Sequence, residues 1–247
     1  MAADRVRNLA RAVLPRWLLR RVRPGSVPAF GRIDFGDLRR TSPLDRHFGY
    51  GRGRPVDRAY IEAFLEREQA AIRGHVVEVG EATYTRRFGA DRVTRSDVLH
   101  VDPEAPGATV IADLADADHV PSDAFDCIVL TQTLQLVYDL PSAVRTLHRI
   151  LAPGGTLLAT APGLSQLDEG VWRDSWFWGF TAASLTRLFA EAFASPDVTI
   201  EAHGNVLAAV AMLEGVASAE LRQAELDADD PRYPVILTVR AVKSGAS

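Results

Sequence analysis

Seven strand-like apolar runs, separated by segments of helical periodicity, constrain this chain more than any other feature. The first is residues 76–79, inside His75-Val76-Val77-Glu78-Val79-Gly80, which ends in a carboxylate, a spacer and a glycine. Residues 93–96, 109–112, 125–130, 156–161, 198–202 and 235–242 supply the others. Between them lie helix patterns. One runs from about Asp57 to a stop at Gly74, with Ile61, Phe64, Leu65 and Ile72 on one face. A short helical turn is expected over residues 83–88, and a helix over 142–151 behind Pro141. Thr181 caps another helix, with Leu185, Leu188, Phe189 and Phe193 on its apolar face. Residues 206–213 and 219–226 also read as helical. Strands this apolar are covered on both faces, so the alternation predicts an α/β, doubly wound, mostly parallel sheet with helices on both faces.

In such sheets ligands bind at the carboxyl ends of the strands, near the point where strand order reverses. Polar residues cluster at those expected ends: Glu78, Asp97, Asp113 and the run Thr131-Gln132-Thr133. A row of acids suits a ligand with sugar hydroxyls and an exocyclic amine. Any one of them also reads as an ordinary turn or helix cap, and only the ordered set favours a site.

The 247 residues, 47% hydrophobic and 24% charged, suffice for one sizeable core. A lone cysteine, Cys127, excludes an intrachain disulfide and fits a reducing, cytoplasmic setting. No run approaches the ~20 apolar residues that cross a bilayer, and no signal-peptide pattern opens the chain. Charge is lopsided. Residues 1–58 hold 14 Arg against 5 Asp, a net +9, and the remainder carries −13. We therefore divide the chain into a basic N-terminal arm, 1–40, and a single domain, 41–247. Seven arginines interleaved with apolar residues in 1–23 suit either an amphipathic helix on an anionic membrane surface or protein partner, or a partly ordered arm. The acidic domain repels phosphate backbones, so no nucleic-acid partner is expected.

Glu78-Val79-Gly80-Glu81-Ala82 resembles the cofactor loop of the class I S-adenosylmethionine-dependent methyltransferases. Residues 123–130 resemble that family's fourth-strand signature, and 147–157, with Pro153-Gly154-Gly155, its helix–turn–strand signature. The resemblance covers about residues 75–195. It implies a Rossmann-like, seven-stranded sheet with an antiparallel last strand, and S-adenosylmethionine as cofactor. It further implies Asp97 as the ribose acid, Asp113 as acceptor for the adenine amine, Leu114 over the ring, and Thr131 nearby. Glu78 would either face the methionine end or orient the loop. The family's second glycine is Ala82 here, and a third would fall at Tyr84.

Residues 47–60 resemble a segment of bacterial methyltransferases that accompany glycosyltransferases. Arg52 would grip the cofactor carboxylate there and Tyr60 would cover the site. In the structural alternative Asp57 only caps the helix and Arg58 only pairs with Glu62. Gln132 and Gln135 would position an acceptor. Trp176 and Trp178, in the aromatic-rich stretch after residue 170, would either help to bind it or pack as a lid. His47, Asp168 and Asp174 are the candidate general bases. No His pair or Cys pair has metal-binding spacing, so no metal is expected. The expected function is methyl transfer to a small-molecule or glycan hydroxyl, preferably of a sugar, in the cytoplasm or at the inner membrane surface. The alternative is a non-catalytic cofactor-binding or assembly module of a glycan-synthesis system.

Overall fold

A computed structural model describes residues 27–245. The expected amphipathic segment 1–23 lies outside them. The chain divides into two compact units, Met1–Thr41 and Ser42–Ser247. In the first, the described residues hold one 3-10 turn, Gly36–Leu38.

The second unit carries a seven-stranded sheet. Its strands are β1 Gly74–Val79, β2 Val93–His100, β3 Val110–Ile111, β4 Phe125–Thr131, β5 Leu151–Pro162, β6 Val198–His203 and β7 Ile236–Val242. Their order is β3-β2-β1-β4-β5-β7-β6. β1 to β5 pair in parallel, and β7 runs antiparallel to both β5 and β6. The helices are α1 Val56–Arg67, α2 Leu140–Ile150, α3 Ala182–Phe189, α4 Val206–Glu214 and the single turn α5 Gln223–Leu226. No helix among the described residues is long and apolar enough to cross a membrane.

Period-two alternation divides the core between the faces of the sheet. Val77, Ile128, Leu130 and Leu157 pack with α2 and α3 on one side. Val76, Cys127, Val129 and Leu158 pack with α1 and α4 on the other. The Cys127 thiol is buried, and burial pushes its pKa up to about 12. Order reverses at β1, which has β2 on one side and β4 on the other. That opens the sheet at the carboxyl tips of β1 and β4.

Four boundaries differ from expectation. β2 continues to His100, so Asp97 lies inside it rather than after it. Gly74 does not stop α1, which ends at Arg67; it opens β1 at φ +68°, where a Cβ would meet the Asp126 carboxylate. The Pro153-Gly154-Gly155 turn is a bulge within β5. Phe125 pairs with Leu151 but Cys127 with Thr156, so the intervening residues loop out around Gly154 at φ +78°. The expected helix over 219–226 breaks into the 3-10 turn Ser218–Glu220 and α5.

Candidate active site

The tips of β1 to β4, α1 and the loop before it enclose a cleft of about 1020 Å³. β1 reaches it through Gly80, which sits at φ +98° with its N–H donating to Leu99 O at 3.0 Å. A Cβ at Gly80 would meet no atom within 4 Å. Glu78, one residue inside the tip, is 2% exposed. Its two oxygens accept the backbone N–H of Tyr84 at 3.1 Å and Thr85 at 2.6 Å. Burial raises its pKa, and those two donors oppose the rise. Glu78 thus orients the loop after β1, as a carboxylate satisfies orphan amides at the start of a helical turn.

Across the reversal point, β4 ends in Thr131, Gln132 and Thr133, which line the same cleft. Gln132 adopts φ +50°, uncommon for a residue with a side chain, and is held there by hydrogen bonds. Its N–H donates to Thr160 O at 3.1 Å, and its carbonyl accepts from Gln135 Nε2 at 2.9 Å. From the end of β3, Asp113 and Leu114 line the cleft beside Leu99 and Ala112. Asp113 Oδ1 accepts the Ala115 N–H at 2.9 Å.

Six of the expected residues therefore converge: Glu78, Gly80, Asp113, Leu114, Thr131 and Gln132. The others do not line the cleft. Asp97 is buried within β2, against His75 Nε2 at 2.6 Å, Thr109 Oγ1 at 2.9 Å and Arg95 at 3.0 Å. Burial opposes its charge, yet the His75 and Thr109 hydrogen bonds and the cation Arg95 hold its carboxyl below the ordinary range. His100 and Val101 occupy the cleft end of β2 instead. Ala82 is buried behind the loop, facing a smaller hollow of about 510 Å³. Arg52 pairs with Glu220. Tyr60 stacks on His203 at 6.2 Å and donates its hydroxyl to Leu226 O at 3.1 Å; burial pushes its pKa up to about 12. Gln135 is buried, with its carbonyl accepting the N–H of Phe177 at 2.8 Å. Trp176 stacks on Phe48 at 6.2 Å. Trp178 stacks on Tyr138 at 5.9 Å and donates Nε1–H to Val137 O at 3.0 Å. Of the candidate bases, His47 is exposed in the early loop, Asp168 accepts the Trp172 N–H at 3.1 Å, and Asp174 sits in an exposed 3-10 turn.

Residues outside the expected set complete the walls. Arg58, on the first turn of α1, donates Nε–H to the Tyr50 hydroxyl at 3.0 Å and lies 3.9 Å from Asp57. Burial works against its charge, but Asp57 and the two tyrosines Tyr50 and Tyr84 hold its pKa above the ordinary arginine value. It does not pair with Glu62. That carboxylate instead meets Arg54 and Arg87, each at 3.0 Å. Tyr138, Trp172 and Phe177 form an aromatic border. The sequence carried a partial signal for Arg58 in its place on the first turn of α1, within the segment 47–60. Tyr84 was visible only as the missing third glycine.

A family model described as a methyltransferase domain matches residues 49–193, more than half of the chain. The human mitochondrial arginine-hydroxylase NDUFAF5 is 30% identical over 135 residues, 54% of this chain and 32% of its own length. The chain thus spans about a third of that curated relative. Among solved structures, an S-adenosylmethionine-dependent methyltransferase from Archaeoglobus fulgidus has a TM-score of 0.50 at 13% identity, covering 75% of this chain and 94% of its own. The cyclase SpnF also has a TM-score of 0.50, at 15% identity, covering 76% of this chain and 81% of its own. These two likenesses concern the fold. The chain belongs to the methyltransferase-domain family and, with its mostly parallel seven-stranded sheet, to the S-adenosylmethionine-dependent class I methyltransferases.

Proposed function

We propose that this chain transfers a methyl group from S-adenosylmethionine to a hydroxyl of a sugar or glycan. One observation carries the cofactor half: Gly80 stands at φ +98° at the mouth of the cleft, with open space where a Cβ would point. A ligand pressed against backbone at that tip has room because no side chain stands there. Asp113 offers an acceptor to an adenine amine, and Leu99, Ala112 and Leu114 offer an apolar slot to its ring. Arg58 takes the role expected of Arg52, a guanidinium for the carboxylate of the methionine end. When bound, the cofactor supplies a methyl group already activated on sulfur. The chain then contributes placement, which alone can lower a barrier by ~7–11 kcal/mol when the geometry is near attack.

The acceptor half rests on the aromatic border of Tyr138, Trp172 and Phe177. Such faces suit the apolar faces of sugar rings and leave the hydroxyls free to hydrogen-bond. Gln132, locked at φ +50°, lines the same space. Residues 1–40 are a basic segment and residues 41–247 the methyltransferase domain. A second reading, a cofactor-binding assembly module without turnover, is favoured by one observation. His47, Asp168 and Asp174 all stand outside the cleft lining.

Calorimetric titration with S-adenosylmethionine, followed by transfer of labelled methyl to a panel of saccharides, tests both. Binding with labelled saccharide upholds the proposal. Absence of binding at millimolar cofactor rejects it. Binding with no labelled product on any saccharide rejects the acceptor half and favours the module.

A further inference from the structure

We infer that the cleft carries an anion subsite, built by Arg54, Glu62 and Arg87, that recognises a carboxylate or phosphate on the acceptor. This rests on the methyl-transfer reading and narrows its substrate class to acidic sugars.

Arg54 comes from the loop before α1, Glu62 from the middle of α1 and Arg87 from the turn after β1. All three line the cleft. Both guanidiniums meet the same oxygen, Oε2 of Glu62, at 3.0 Å. One carboxylate thus stands against two guanidinium charges, leaving an excess of one positive charge on this wall. Arg58 stands outside this balance, because its own counter-charge is Asp57.

The two guanidiniums are also oriented. Arg54 Nε donates to Ser218 Oγ at 3.1 Å, and Arg87 lies over the Phe88 ring at 4.8 Å. Each has five N–H donors, of which Glu62 uses few. Their side chains are half-exposed, at 50% and 54%, while that of Glu62 is 15% exposed. The anchor is therefore covered and the donors face open space. A planar fork fixed in place matches a carboxylate or phosphate in two-point contact, and less ordering entropy is lost on binding. The cleft also holds Glu78, Glu81, Asp113 and Asp139, at the tips of β1 and β3, just past β1 and before α2, and none of them pairs with Arg54 or Arg87 among the described residues. These acids suit hydroxyls and an amine, and the guanidinium wall suits an anion. A cleft of about 1020 Å³ is at the upper end for a single bound small molecule, so it has room for two ligands.

The test uses the full chain loaded with S-adenosylhomocysteine and three probes, glucose, glucuronate and glucose 6-phosphate, with Arg54→Gln and Arg87→Gln checked for folding by circular dichroism. The expected result is that one or both acidic probes bind at least about tenfold tighter than glucose, about 1.4 kcal/mol. Which of the two binds separates carboxylate from phosphate. Each variant should shrink that gap to below about threefold while affinity for S-adenosylhomocysteine stays within about threefold. Equal binding of acidic and neutral probes overturns the inference, as does a gap that survives both substitutions. A tenfold loss of S-adenosylhomocysteine affinity in the variants overturns it differently, by assigning the pair to the cofactor's own carboxylate. If the wild-type chain takes no S-adenosylhomocysteine, the cofactor reading fails by itself. The same comparison without it then still decides whether the anion subsite exists.

Discussion

A single methyl group at residue 80 separates the strain of the β1 tip from the space in front of it. In Gly80→Ala the new Cβ meets no protein atom within 4 Å, so the folded chain suffers no clash. Its cost is conformational. At φ +98° an L-residue is strained by roughly 1–3 kcal/mol. If the backbone turns to escape, the N–H of residue 80 leaves Leu99 O, and that hydrogen bond is worth about 0.5–1.5 kcal/mol. Stability therefore falls by about 0.5–3 kcal/mol, depending on the route the backbone takes. A ligand seated against this backbone meets the methyl directly, and overpacking of that kind costs a further ~1–3 kcal/mol. Affinity for S-adenosylhomocysteine should drop about 5- to 150-fold. Gly154→Ala is the control. It has φ +78° and equally open space, but stands at the bulge of β5, outside the cleft lining. It should lose similar stability and no affinity. Urea denaturation and calorimetric titration of both variants supply the two readouts. If Gly80→Ala binds S-adenosylhomocysteine as tightly as Gly154→Ala does, the reasoning that puts the cofactor against Gly80 is refuted.

Three further outcomes follow from particular contacts. Asp97→Asn should lower stability by about 1–3 kcal/mol at pH 7 and leave S-adenosylhomocysteine affinity within about threefold, because Asp97 answers to His75, Thr109 and Arg95 within the sheet. Its folded carboxyl is depressed, so its contribution is present above the ordinary carboxylate range near ~3.9 and is lost as pH falls through the folded value. Urea midpoints measured down a pH series should show the wild-type advantage vanish at the acid end, and an advantage that grows there would contradict this. Tyr60→Phe removes the bond to Leu226 O and should cost about 0.5–1.5 kcal/mol by denaturation, with cofactor binding intact; a tenfold loss of binding would restore Tyr60 to the site. Cys127, with its pKa pushed up to about 12, should resist a thiol reagent at pH 8 in the folded protein and react once urea is added.

The parts of the fold written in local pattern were legible. Apolar runs such as those at β1 and β4, and the cap-and-stripe pattern of α3, follow from periodicity over a few residues. Gly80 was legible for the same reason, since a glycine directly after an apolar strand marks a backbone that must bend. Asp97 was misplaced because an acid is expected to end a strand. The sheet instead tolerates it by bringing His75 from β1 and Thr109 from beyond β2 to its carboxylate. That satisfaction is long-range, and spacing does not encode it. The walls of the cleft were unreadable for the same cause. Arg87 reaches Glu62 across 25 residues, and the Trp178 indole is tied to Val137 O, 41 residues earlier. Aromatic side chains adjacent in sequence face different neighbours when no regular helix or strand fixes their alternation. Trp172 and Phe177 therefore border the cleft while Trp176 packs on Phe48.

A crystal structure of the chain with S-adenosylhomocysteine tests the central claim most directly. The account predicts the nucleoside in the cleft between Gly80 and Asp113, its ring over Leu114, and Asp97 still on His75. Density for the ligand elsewhere, or an Asp97 carboxylate turned out of the sheet onto the ribose with Asp113 facing away, would contradict it.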